Sequence, residues 1–274
     1  MRKALVASPL GFLIGFSMGA LGGGGSVLAV PVLVYVVGQS PPAATTTSLV
    51  VVGLAAVVGM GDHWRAGRVR PGIGMMFGLA GLGGSIGGSA LNRRLDPDVL
   101  LLAFAALVLV AAWRMLAGCP SCTKSGEDRA LGSGDAPAGS VRVVGGLRVD
   151  AGTIAKVLAA GTLVGFFTGL FGVGGGFVIV PALTLLLGFA MPEAIGTSLL
   201  IIAVNAAIAL AARLGTATID WSVTALFTLA ALAGVLAGSR TADRLPARTM
   251  LRSFAALLLA VSAYTAARSV VALT

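Results

Sequence analysis

A chain of 274 residues with 57% hydrophobic and 11% charged residues and a mean hydropathy of +0.99 lies outside the soluble globular range. A soluble fold of this length would have to bury nearly every helix on all faces, which its volume does not allow, so a soluble enzyme or binding module is excluded. The formal net charge of +9 comes from Lys and Arg that flank apolar runs and form no patch interleaved with aromatics. The excess reads as basic cytoplasmic loops facing anionic lipid, and no nucleic-acid partner is expected.

In chain order, Arg2 and Lys3 open an apolar run over 4–21 with the outline of a signal peptide. The same element recurs at 158–171, so residues 4–21 read as a retained helix. Four glycines, Gly22–Gly25, then interrupt the apolar sequence, followed by an apolar segment over 26–38 that includes Pro31. Further apolar segments cover 43–61, 72–91 and 98–116. His63 and Trp64, at the end of the first of these three, read as an interfacial pair with Trp64 as aromatic anchor. Residues 118–150 carry Gly, Ser, Pro and charge without apolar periodicity and read as a flexible cytoplasmic linker. Cys119 and Cys122 lie there; two thiols without a nearby His supply half of a structural zinc site, so they read as plain loop cysteines. The second half gives apolar segments at 154–171, 176–188, 194–212, 222–239 and 249–267.

The halves align without a gap on a shift of 150 residues. Gly15, Phe16, Gly19, Gly22, Gly24, Gly25, Val30 and Pro31 meet Gly165, Phe166, Gly169, Gly172, Gly174, Gly175, Val180 and Pro181. The register continues through Thr47, Ser48 and Leu49 against Thr197, Ser198 and Leu199, and through Gly84, Gly88 and Ser89 against Gly234, Gly238 and Ser239. The expected fold is an all-α polytopic helical membrane protein built from two homologous repeats with glycine-broken helices. Residues 1–117 form the first repeat and 151–274 the second.

The segments at 26–38 and 176–188 supply roughly 20 Å of helix against a hydrocarbon core of about 30 Å. Each reads as half of a broken helix or as one arm of a re-entrant hairpin. An odd number of crossings per repeat makes the halves inverted, with both termini outside; one crossing per broken pair makes them parallel, with both termini inside. Counting Lys and Arg per side does not choose between these, although both place 118–150 and the loop of Arg65, Arg68 and Arg70 in the cytoplasm.

A glycine break within the bilayer leaves N–H groups that lipid cannot satisfy, at the positive end of the following helix dipole. Gly22, Gly23, Gly24 and Gly25, matched by Gly172, Gly174, Gly175 and Gly176, are therefore expected to bind a small anion, as discontinuous helices do in transporters. Thr47 and Ser48, with Thr197 and Ser198, supply hydroxyls that either cap a helix or donate to an oxyanion. Asn205, the one amide within an apolar run, either bonds across helices or lines the site. The pairs Gly15–Gly19, Gly84–Gly88, Gly165–Gly169 and Gly234–Gly238 have small-xxx-small spacing and read as helix contacts. No Asp or Glu falls at the middle of a span, which disfavours a carrier built on intramembrane carboxylates. GVGGG lacks the Lys-Ser/Thr of a nucleotide loop, and nothing places His63 near a serine for protease chemistry, so neither catalysis nor a cofactor is expected.

These residues carry a resemblance. GGGGSVLAVPVL at 22–33 with SPPAATTTSL at 40–49, and GVGGGFVIVPALTLLLGFAMPEAIGTSLL at 172–200, resemble the TauE/SafE family of sulfite and organosulfonate exporters. The resemblance covers nearly everything except 118–150. It implies export of small anions of the sulfite or sulfonate class across the bacterial inner membrane; the matched glycine breaks themselves lead to the expectation of a secondary transporter working by alternating access, with the breaks meeting near the midplane. An anion channel and a non-transporting membrane subunit stay open beside that reading.

Overall fold

The computed structural model describes residues 2–92, 94–95, 97–116, 151–171, 176–211, 221–242, 245–246 and 248–260. The segment 118–150, including Cys119 and Cys122, lies outside them, as do Gly172, Gly174 and Gly175. The described residues are mostly helical, without a strand: α1 (Arg2–Leu21), α2 (Ser26–Tyr35), α3 (Pro41–Arg65), α4 (Pro71–Asn92), α5 (Pro97–Leu116), α6 (Ala151–Phe171), α7 (Gly176–Leu185), α8 (Met191–Ala211) and α9 (Trp221–Ala242). Residues 248–260 form a further helix, α10. Pro41, Pro71 and Pro97 open their helices, where the missing N–H has no intrahelical partner to lose and φ is already set.

Five of these helices are long and apolar enough to cross a membrane, or six if the bent α1–α2 pair counts as one. Large apolar side chains point outward along the helices, among them Ile86, Leu229 and Leu54, and Trp113 on the shorter apolar stretch of α5. In water such a surface would drive aggregation; in a bilayer it is the lipid-facing side. The interior belongs to α8, whose residues from Ala194 to Ile202 are almost all buried.

The order of close contacts gives each helix its direction. A Cβ on Gly15 would overlap the backbone of Ala231 and one on Gly19 that of Val235, so α1 and α9 run parallel. Gly165 stands in the same way against Gly81 and Gly169 against Ser85, so α6 and α4 run parallel. Each of these contacts becomes the other on a shift of 150 residues. By contrast, Gly53 faces Ala206, Gly59 faces Leu199 and Gly196 faces His63, which makes α3 and α8 antiparallel. Thr47 lies on Thr224 and Asp62 on Ser239, so α3 runs with α9, whereas Gly74 against Thr197 and Leu200, followed by Gly78 against Val204 and Asn205, sets α4 running with α8. Hence α1, α3 and α9 point one way and their counterparts at an offset of 150, α6, α8 and α4, point the other.

Two consequences follow for the expected topology. The offset relates antiparallel helices, so the axis that exchanges them lies across the helices, within the plane of a surrounding membrane; of the two arrangements open in the sequence, this is the inverted one. Further, α1 and α3 run the same way with only short α2 between them. The chain bends by 118° at the glycine run, and α2 carries it back. The glycines turn a hairpin, and α2 is its short arm rather than the second half of a through-going helix.

Candidate functional site

The first glycine run is a buried 3-10 turn, Gly22–Gly25, with Gly22 at φ +74°. The backbone returns on itself there: the Ser26 N–H donates to the Gly23 carbonyl, which also accepts from Ser26 Oγ at 2.7 Å. Each glycine is closely surrounded. A Cβ on Gly23 would overlap the Gly176 carbonyl, one on Gly25 would overlap the Ile14 carbonyl, and one on Gly22 would lie 2.8 Å from Ser198 Oγ. Gly24 faces the side chains of Phe254 and Leu257. Thus the two glycine elements do come together, at Gly23 and Gly176, but as backbone against backbone.

The expected hydroxyls divide. Thr47, Thr197 and Ser198 are fully buried. Thr47 Oγ1 lies 3.4 Å from Thr224 Oγ1, Thr197 Oγ1 accepts the Arg70 N–H at 3.2 Å, and Ser198 Oγ donates to the Ile195 carbonyl at 2.8 Å. All three are committed to helix contacts. Ser48 and Asn205, however, line a cavity of about 280 Å³ between α3, α4, α6 and α8, closed by the start of α2 and by Ile179 of α7.

Six hydroxyl residues border this cavity, Ser26, Thr45, Ser48, Ser85, Ser89 and Thr168, together with the Asn205 amide. No charged residue is among its described lining; Phe77, Val164 and Ile201 supply apolar wall. Glycines 81, 161, 165 and 169 form much of one side, because the tight α4–α6 contact leaves no room for side chains there. Asn205 Oδ1 is buried and has no hydrogen-bond partner among the described residues. Ser26, Ser85, Ser89 and Thr168 are polar lining that motif reading passed over. For three of them a comparison of the halves carries the signal: at an offset of 150 Ser26, Ser85 and Thr168 correspond to Gly176, Val235 and Met18, while Ser89 corresponds to Ser239; Thr45 likewise corresponds to Ile195 and Asn205 to Ala55.

That comparison also explains why the cavity is one-sided. It occupies the half of the bundle near the start of α3 and the ends of α4, α6 and α8. In the equivalent place at the other half, Met18, Ile195, Val235 and Phe227 are wholly buried, and Gly59 lies tightly against Val235 and Leu199. On the face beyond that filled half, Arg70 and Glu193 form an ion pair at 2.9 Å. His63 belongs to the same end. It was expected at the membrane interface, but only Trp64 is exposed; His63 is buried, its Cβ against Gly196, because glycine there lets the end of α3 settle onto α8. Asp62, beside it, accepts from Ser239 Oγ at 2.8 Å, so this carboxylate too stands at a helix end.

The family described as "Sulfite exporter TauE/SafE" matches residues 7–265 of the chain. The chain is 32% identical over 272 residues to a protein of Xylella fastidiosa (strain 9a5c) named "Probable membrane transporter protein", covering 98% of this chain and 97% of the relative. A second protein of that name, from Xylella fastidiosa strain Temecula1, is 31% identical over the same span. No solved structure matches the chain.

Proposed function

The chain belongs to the sulfite exporter TauE/SafE family of membrane transporters, and from that premise we propose that it carries small sulfur oxyanions, sulfite or organosulfonates, by alternating access. The observation that carries this reading is the uncharged, hydroxyl- and amide-lined cavity inside an otherwise apolar bundle. A small oxyanion in such a place is held by short-range hydrogen bonds, without the desolvation of a buried cation. Ser48 and Asn205 are the expected site residues that border the cavity, and they are proposed here as ligands.

The inverted arrangement supplies the movement. An open cavity in one half and a filled equivalent in the other are two conformations of one design, so exchanging them moves the opening from one face to the other. Placing Arg65, Arg68 and Arg70 in the cytoplasm puts the filled half inside, and the cavity then faces outward. The start of α6 falls on the cytoplasmic side in the same orientation.

The test is transport in proteoliposomes offered sulfite, methanesulfonate, taurine, thiosulfate and sulfate. Saturable movement of sulfite or a sulfonate that weakens with Ser48→Val supports the reading. Flux that does not saturate makes the protein a channel, and absence of movement for every anion makes it a non-transporting subunit.

A further inference from the structure

The polar and apolar residues of the cavity are sorted along its depth. On α3 the lining runs from Thr45 and Ser48 through Leu49 to Val52; on α4, read from its end, it runs from Ser89 and Ser85 through Leu82 to Phe77. The two helices point in opposite directions, so both series pass from hydroxyl to hydrocarbon along the same path. Helix α6 repeats the order from Thr168 to Val164, and α8 from Asn205 to Ile202 and Ile201. A hydroxyl belt therefore lies at one end, near the start of α3 and the end of α4, and an apolar floor at the other. On α4 the series covers about 18 Å of helix rise.

The belt has protons to give. The hydroxyls of Ser48 and Ser85 make no hydrogen bond among the described residues, and Ser89 Oγ reaches the Gly169 carbonyl only at 3.5 Å. The floor side chains Val52, Phe77, Val164, Ile201 and Ile202 have no polar atom, and no charged residue is among the described lining. The cavity is also large for sulfite. Its volume of about 280 Å³ is room for roughly nine waters at about 30 Å³ each, of which sulfite fills about four places.

We infer that this cavity, which rests on the oxyanion reading above, is shaped for a singly charged organosulfonate with an uncharged hydrocarbon tail. The sulfonate oxygens accept from the hydroxyls of Ser48, Ser85 and Ser89, and the tail covers Phe77, Ile201 and Ile202. The places left beyond the head group accommodate about four or five carbons. Sulfite lacks the tail and leaves the floor to water that finds no hydrogen-bonding side chain there. Taurine matches propanesulfonate in heavy atoms, but its ammonium would stand against hydrocarbon with no carboxylate to meet it.

The experiment is initial-rate uptake into proteoliposomes, corrected with protein-free vesicles, for sulfite, the linear alkanesulfonates from methane- to octanesulfonate, and taurine. Apparent KM should fall about fourfold with each added methylene up to about butane- or pentanesulfonate, the gain expected from burying a CH₂, and rise beyond. Taurine should show an apparent KM at least about tenfold above that of propanesulfonate. Phe77→Ala, which deepens the floor, should move the optimum to a longer tail, and Val52→Phe, which fills it, to a shorter one. A general loss of folded protein lowers every rate together and does not move that optimum. An apparent KM that is flat across the series, lowest for sulfite or methanesulfonate, or equal for taurine and propanesulfonate would overturn the inference while leaving oxyanion transport intact. Movement of no oxyanion overturns both. The wild-type series decides the matter even if neither variant folds.

Discussion

Gly23 and Gly176 touch through their backbones, the first inside the glycine turn and the second at the opening of α7. A side chain on Gly23 would meet a carbonyl, which no rotamer change can move aside. Gly23→Ala should therefore destabilise the protein by at least about 1–3 kcal/mol. Gly24→Ala meets the ends of Leu257 and Phe254, which can yield, and should lose less. Gly83→Ala meets nothing within 4 Å and should gain about 0.5–1 kcal/mol from helix propensity. Thermal melting in detergent ranks the three; a Gly23→Ala protein as stable as Gly83→Ala would refute the contact.

The exchanged contacts of α1 on α9 and of α6 on α4 can be locked covalently. A Cβ on Gly11 lies 3.3 Å from Cβ of Ala230, and one on Gly161 lies 3.2 Å from Cβ of Ala80, both close to disulfide range. With Cys119 and Cys122 replaced by serine, Gly11→Cys with Ala230→Cys, or Ala80→Cys with Gly161→Cys, should cross-link on mild oxidation. After cleavage within 118–150 the halves should stay joined on a non-reducing gel. Separation of the halves would mean that each keeps its first and fourth helices together.

Thr197 and Ser48 should respond in opposite ways. Thr197→Val leaves the Arg70 N–H without its acceptor, so stability should fall by about 1–3 kcal/mol with an unchanged apparent KM. Ser48→Val changes the cavity wall, so apparent KM should rise about tenfold or more with little change in melting temperature. Saturation curves paired with melting curves distinguish the two.

The Arg70–Glu193 pair is partly exposed, at 22% and 17%, so its loss in Glu193→Gln should shift stability by no more than about 1 kcal/mol. Its effect should appear in conformation. The pair spans the start of α4 and the start of α8 beside the filled half, and breaking it should favour opening of that half. Val235→Cys, buried in the wild type, should then react faster with a membrane-permeant thiol reagent, and Arg70→Glu with Glu193→Arg should restore protection. Equal labelling rates in all backgrounds would separate the pair from any gating role.

Much of this was legible in particular residues. The apolar segments at 43–61, 72–91 and 98–116 marked three helices, and the small-xxx-small pairs announced where backbones would touch. Asn205 stood out as a lone amide among apolar neighbours. The glycine runs were harder to read: a cluster of glycines fits both a turn offering N–H groups and a turn enclosed by other backbones, and the difference lies in what surrounds it. For Gly22–Gly25 the surroundings are Gly176, Ser198, Ile14 and Phe254, none adjacent in sequence. Ser85 and Thr168 carried no motif at all, and Ser26 stood in the glycine motif without a role of its own; only their contrast with Val235, Met18 and Gly176 marked them.

Hydropathy by itself determined that the chain resides in a membrane as helices, because lipid accepts only backbone that satisfies its own hydrogen bonds. The 150-residue offset by itself led to the expectation of two matched halves. Direction was left to the tertiary structure, since an apolar helix has the same hydropathy read either way and the count of basic residues on the inner side is the same under both topologies. The order of contacts along facing helices, glycine on backbone within the parallel pairs and side chains between α3 and α8, fixed that direction, and with it a cavity open in one half and filled in the other. Such an asymmetry between matched halves arises only when side chains distant in sequence compete for the same space.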